Sequence, residues 1–128
     1  MVKILIVDDG RGTLNALKAG LTSFGYQVLT AAHGPQALKI IESSIEKAEP
    51  VELMVTDLKM PGVNGLELIR SAREVRPGLA AILMTAYGDD NIRKEVKDLG
   101  CCKYIDKPFR PESLVKMIEE MVAGPQIK

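Results

Sequence analysis

The sequence predicts an α/β fold, a doubly wound, five-stranded parallel sheet with strand order 2-1-3-4-5. Three observations carry that expectation. Five short apolar runs, Lys3 to Val7, Tyr26 to Ala31, Glu52 to Thr56, Ala80 to Thr85 and Cys101 to Ile105, each precede a longer segment with helical spacing, the alternation that builds a parallel sheet. Ile4 to Val7 and Ile82 to Met84 are unbroken apolar stretches, as strands covered on both faces require. The run from Tyr26 to Thr30 and the run containing Lys103 are more polar, so the second and fifth strands fall at the edges.

Each element follows from local signals. After the first strand, Leu14, Leu17, Leu21 and Phe24 form one apolar stripe of a helix that Gly25 can close. Pro35 suits the first position of the second helix, behind a loop in which His33, the only histidine, is expected to be solvated rather than catalytic. Asn64 with Glu67 three residues on makes a capping-box-like start for the third helix. Ile92, Val96 and Leu99 define the fourth helix, which Gly100 ends, and Leu114, Ile118 and Met121 define the fifth, with Pro111 at its first position. These stripes are core rather than function. At 128 residues the chain is one domain, expected over 1–123, with 124–128 as a tail or linker stub.

Composition removes several classes of function. Lys plus Arg and Asp plus Glu each number 17, so no net positive field holds nucleic acid, and the chain lacks the basic, aromatic-rich patches of a nucleic-acid reader. The start has one cation and an apolar run broken by acid, which is neither a signal peptide nor a membrane span. Cys101 and Cys102 are too few and too close for a disulfide framework or a cysteine metal site, and a reducing cytoplasm is expected. Buried packing thiols are expected rather than a strained vicinal disulfide.

The chemistry lies at the carboxyl ends of the strands, where doubly wound sheets bind ligands. Strand one ends in Asp8-Asp9, strand three in Asp57, strand four in Thr85, and strand five runs into Asp106-Lys107-Pro108. Singly, these residues have bland roles as turn formers, caps or a surface lysine. Together on one edge they make a site. Three carboxylates brought together repel unless a cation neutralises them, and an all-oxygen cluster with room for water suits Mg²⁺. Mg²⁺ with few carboxylates leaves positions for phosphate oxygens, so a phosphoryl group is the natural guest. Asp57, before the open turn Leu58-Lys59-Met60-Pro61-Gly62, is the candidate nucleophile; Lys107 and Thr85 supply charge and a hydroxyl to the phosphoryl oxygens in flight.

Four motifs stand in register: Ile-Leu-Ile-Val-Asp-Asp, Val-Thr-Asp-Leu-Lys-Met-Pro-Gly-Val-Asn-Gly-Leu-Glu-Leu, Leu-Met-Thr-Ala-Tyr-Gly and Tyr-Ile-Asp-Lys-Pro-Phe. Over residues 1–123 the chain resembles two-component response-regulator receiver domains, whose fold is flavodoxin-like. The resemblance implies that Asp9 binds Mg²⁺ directly, Asp8 mainly through water, Asp57 through a carboxylate oxygen and Lys59 through its backbone carbonyl. It implies that Asp57 takes phosphate from the phosphohistidine of a sensor histidine kinase or a phosphotransfer protein. It also implies that Thr85 and Tyr104 form a switch pair, and that Lys107-Pro108 is a cis peptide aiming Lys107 at Asp57. The face of helix four, strand five and helix five, with Lys97, Lys103, Tyr104 and Lys116, is where such domains meet an output domain or partner, or dimerise on phosphorylation. The stretch Met-Thr-Ala-Tyr-Gly resembles receivers attached to transcription activators, some with an ATPase module.

The chain departs from the family pattern in places. Gly10 follows the acid pair where an acidic or larger polar residue is common, which suggests a mobile first loop. Arg110 replaces a capping residue before Pro111. Lys59 and Tyr87 flank the phosphoryl site and would set how readily water attacks it. The expected function is a switch that catalyses only its own phosphorylation and hydrolysis. Two alternatives share the residues: a Mg²⁺-dependent phosphohydrolase with an aspartyl nucleophile, and a binding module that kept the fold and lost the switch. Haloacid-dehalogenase-like hydrolases resemble the chain less, because they carry Asp-x-Asp on the first strand and a cap for substrate.

Overall fold

A computed structural model of the chain describes residues 2–60, 62–86, 90–100 and 102–123. Its elements are β1 (Lys3–Val7), α1 (Arg11–Ser23), β2 (Gln27–Ala31), α2 (Gly34–Glu46), β3 (Leu53–Asp57), α3 (Gly65–Val75), β4 (Ala80–Thr85), α4 (Asp90–Asp98), β5 (Cys102–Asp106) and α5 (Pro111–Ile118), the last continued by a π-helical turn, Glu119–Ala123. All pairings are parallel, in the order β2-β1-β3-β4-β5, so the predicted order and both predicted edges hold.

Side chains alternate across the sheet and give each face its own core. Ile4, Ile6, Leu53, Val55, Ile82 and Met84 pack against Leu17 and Leu21 of α1 and Leu114, Val115 and Ile118 of α5. Leu5, Val7, Met54, Ala81 and Leu83 pack against α2, α3 and Val96 of α4. Each fully buried Leu or Ile contributes roughly 1.5–3 kcal/mol. The central strands are therefore held from both sides, which fixes their carboxyl ends. Among the described residues, no helix is long and apolar enough to cross a membrane.

Several local expectations need correction. Phe24 is 49% exposed rather than core, because α1 stops at Ser23 and the turn through Phe24 and Gly25 (φ 95°) carries the ring off the stripe. Pro35 is the second residue of α2, not the first: His33 is the N-cap, and its Nδ1 accepts the Gln36 N–H at 3.2 Å. The exposed histidine thus closes a helix end as well as facing solvent. β2 and β3 each begin one residue later than their apolar runs, and β3 and β5 end one residue later, so Asp57 and Asp106 are strand residues. Cys102 is half-buried rather than buried. Cys101, Pro61, Tyr87 and 124–128 lie outside the described residues. The expected capping box is present, with Glu67 N–H to Asn64 Oδ1 at 2.9 Å and Asn64 N–H to Glu67 Oε1 at 3.2 Å. Arg110 caps α5 by its extended backbone alone, with Pro111 first in the helix.

Candidate functional site

Parallel register brings the strand ends to one edge. Val7 lies opposite Thr56, Asp57 opposite Met84, and Thr85 opposite Asp106, so the residues at or just beyond these positions converge. Asp8 is buried; its N–H donates to the Ala31 carbonyl at 3.1 Å, and its Oδ1 accepts the Gly10 N–H at 2.8 Å. Asp9 is exposed beside it. One carboxylate oxygen from each of Asp8, Asp9 and Asp57 lies within 4.8 Å of the others.

Lys107 reaches both inner carboxylates, with Nζ 3.3 Å from Asp57 Oδ1 and 3.5 Å from Asp8 Oδ2. Its backbone N–H donates to the Thr85 carbonyl at 2.8 Å, and the Lys107–Pro108 peptide is cis. Thr85 is buried at the end of β4. Asp57, Leu58, Lys59, Thr85, Ala86 and Lys107 line a cavity of about 130 Å³. Burial pushes the Asp57 carboxyl above the usual carboxylate range; Lys107 pulls it back and Asp8 adds to the rise, with burial prevailing.

The cluster fits the divalent ion that the acid pattern suggested. Three carboxyl groups converge here with the Lys107 ammonium beside them, and a cluster of oxygen donors alone is what Mg²⁺ selects. All of Asp8, Asp9, Asp57, Thr85 and Lys107 come to this edge, and Lys59 borders the cavity. Gly10 takes an extended backbone at the N-cap of α1 that any residue can adopt, and its N–H tethers the loop to Asp8.

Two contributors were not identified from sequence. Gly65 opens α3 directly behind Asp57: its N–H donates to the Leu58 carbonyl at 2.8 Å, and an added Cβ would strike the Asp57 carbonyl oxygen and come 2.8 Å from Leu83 Cδ1. Asn64 with Glu67 marks a helix start, but nothing local names the strand residue behind Gly65. Arg93, on α4, lies over the ring of Tyr104, which is half-buried in β5. Lys97 and Lys103 border the groove between α4 and β5, Lys103 pairs with Glu120 at 3.3 Å, and Lys116 is exposed on α5.

Comparison with known proteins agrees with this architecture. The family model for the response regulator receiver domain matches residues 4–119. Sporulation initiation phosphotransferase F of Bacillus subtilis is 37% identical over 107 residues, 84% of this chain and 82% of that one. Transcriptional regulatory protein GlrR of Escherichia coli is 32% identical over 117 residues, 91% of this chain but 25% of the longer protein. The crystal structure of a CheY-like receiver domain protein from Methanospirillum hungatei matches with a TM-score of 0.87 at 32% identity, covering 98% of this chain and 97% of that one. The chain belongs to the response regulator receiver domain family and is a receiver of two-component phosphorelay signalling.

Proposed function

We propose that Asp57 is the phosphoacceptor of this receiver, and that a sensor histidine kinase or a phosphotransfer protein is its donor. The observation that carries this is the contact of Asp57 with Lys107 at the wall of the open cavity, while Asp8 is buried and already engaged by Gly10 and Lys107. Of the three clustered acids, Asp57 is the one that lines this cavity with Thr85 and Lys107, whereas Asp9 is exposed to solvent. Its carboxylate oxygen attacks the phosphorus of the phosphohistidine, the N–P bond breaks, and the imidazole nitrogen leaves. The Lys107 ammonium and the Thr85 hydroxyl donate to the phosphoryl oxygens, whose charge must be stabilised.

Asp8, Asp9, Asp57 and the Lys59 backbone carbonyl would hold Mg²⁺, which when bound neutralises the acid cluster and the phosphoryl charge. The chain acts only on itself: it accepts the phosphoryl group, later loses it to water, and turns over no other substrate. Thr85 and Tyr104 carry the change to the α4–β5–α5 face, where an output domain, a partner or a second copy docks. The cytoplasm, where sensor kinases present their phosphohistidine, is the proposed compartment.

Incubation with Mg²⁺ and phosphoramidate, followed by intact mass, tests the assignment. Wild type should gain one phosphoryl group and Asp57→Asn none. Absence of an adduct on wild type, or its persistence in the variant, overturns the proposal.

A further inference from the structure

We infer that Arg93 is a positioning residue for the Tyr104 ring, holding it against α4 in the unphosphorylated chain; this deepens the proposed Thr85–Tyr104 switch and rests on it. The Arg93 guanidinium carbon lies 5.3 Å from the centroid of the Tyr104 ring, inside the reach of about 6 Å for a cation–π contact. Its Nη2 stands 3.8 Å from Asp106 Oδ2. Tyr104 and Asp106 are alternate residues of β5, so their side chains leave the same face of the sheet. Asp106 pairs in register with Thr85 and precedes Lys107. One side chain of α4 therefore spans the proposed switch ring and the strand residue between that ring and the phosphoryl site.

The two contacts are unequal. Arg93 and Asp106 are 44% and 54% exposed, and an ion pair so open to water contributes little. The ring contact is the larger, and Asp106 orients the guanidinium over it. α4 fully buries only Val96, with Ile92 half-buried against the same core, so the Arg93 contact with the ring adds to a small apolar seam between α4 and β5. Between them runs a groove of about 420 Å³ bordered by Arg93, Val96, Lys97, Tyr104 and Met117, which leaves the ring accessible on its outer side. A ring that moves inward on phosphorylation must give up Arg93. The contact therefore stabilises the resting state, and its loss shifts the population toward the phosphorylated conformation.

Equilibrium binding of beryllofluoride, a phosphoryl mimic, in the presence of Mg²⁺ tests this, with the Tyr104 ring and Arg93 Nε–Hε resonances followed by NMR. Arg93→Ala should tighten beryllofluoride binding about two- to fivefold, the equilibrium worth of an exposed cation–π contact. Arg93→Lys, which keeps a cation over the ring, should stay near wild type, and in a Tyr104→Ala background Arg93→Ala should have no further effect. If the wild-type Tyr104 ring does not respond to beryllofluoride, the switch itself is overturned. If the ring responds but Arg93→Ala leaves the affinity unchanged, or changes it equally without the ring, the Arg93 inference alone fails.

Discussion

Asp57 sits where opposing effects meet. Burial withdraws water from its carboxylate, the Lys107 ammonium 3.3 Å away offsets part of that cost, and the Asp8 carboxylate adds to it, so the pKa is raised. A carboxyl with a folded pKa above its unfolded value adds stability that is fully present below the ordinary carboxylate range and lost as pH rises through the raised value. At neutral pH the metal-free chain therefore carries a charge it would be more stable without. Asp57→Asn should raise the melting temperature in chelator by a few degrees, about 1 kcal/mol. The gap should close as pH falls below the carboxylate range, and should narrow when Mg²⁺ stabilises the wild type. Thermal melts across pH check this, and a variant less stable than wild type at neutral pH in chelator would show that Lys107 outweighs burial. Lys59 borders the same cavity. Lys59→Ala should change the acylphosphate lifetime, measured as phosphate release after the donor is removed, and Tyr87→Ala should do likewise; unchanged rates would show that neither side chain governs water at the phosphoryl group.

At the level of elements, the start of α3 is fitted to the end of β3. Only hydrogen at the Gly65 α-carbon lets the helix rest behind Asp57, because a methyl there meets backbone rather than a side-chain tip that could rotate away. Gly65→Ala should cost roughly 1–3 kcal/mol as overpacking and shift Asp57 relative to Lys107, lowering the rate of phosphorylation by phosphoramidate. Urea unfolding and adduct kinetics measure both, and a variant with wild-type stability would mean that the helix moves away without cost. The contrast with Asn64 shows what a sequence can convey. The capping box joins residues three apart and was legible as a spacing, as were the strand ends, since strand order and parallel pairing bring them to one edge regardless of loop detail. The contact of Gly65 with Asp57, the lift of Arg93 over Tyr104 and the turn that exposes Phe24 depend on how elements lie against each other. No local period encodes those. His33 is an intermediate case: its position before a helix was visible, but an imidazole is an uncommon N-cap, and solvation was the simpler expectation.

Across the whole molecule the two-faced core distributes stability unevenly. β1, β3 and β4 bury nearly every side chain between helices, whereas the nine residues of α4 bury one, Val96. Opening α4 exposes little apolar surface, while opening a central strand dismantles both cores. Local opening of α4 should therefore cost a small part of the global unfolding free energy, and its amides should exchange with solvent deuterium at least about 100-fold faster than those of β3. Native-state hydrogen exchange in dilute denaturant measures the difference: β3 amides should follow global unfolding, with strong denaturant dependence, and α4 amides should show almost none. The hierarchy matters because the phosphoryl site is built on the rigid strands and the proposed output face on the loosely held helix. A chemical change at Asp57 then needs to move only the element that is cheapest to move. Equal protection of α4 and β3 would mean that the chain opens as one unit, and the route from Asp57 to the α4–β5–α5 face would have to run through β5 and α5 alone.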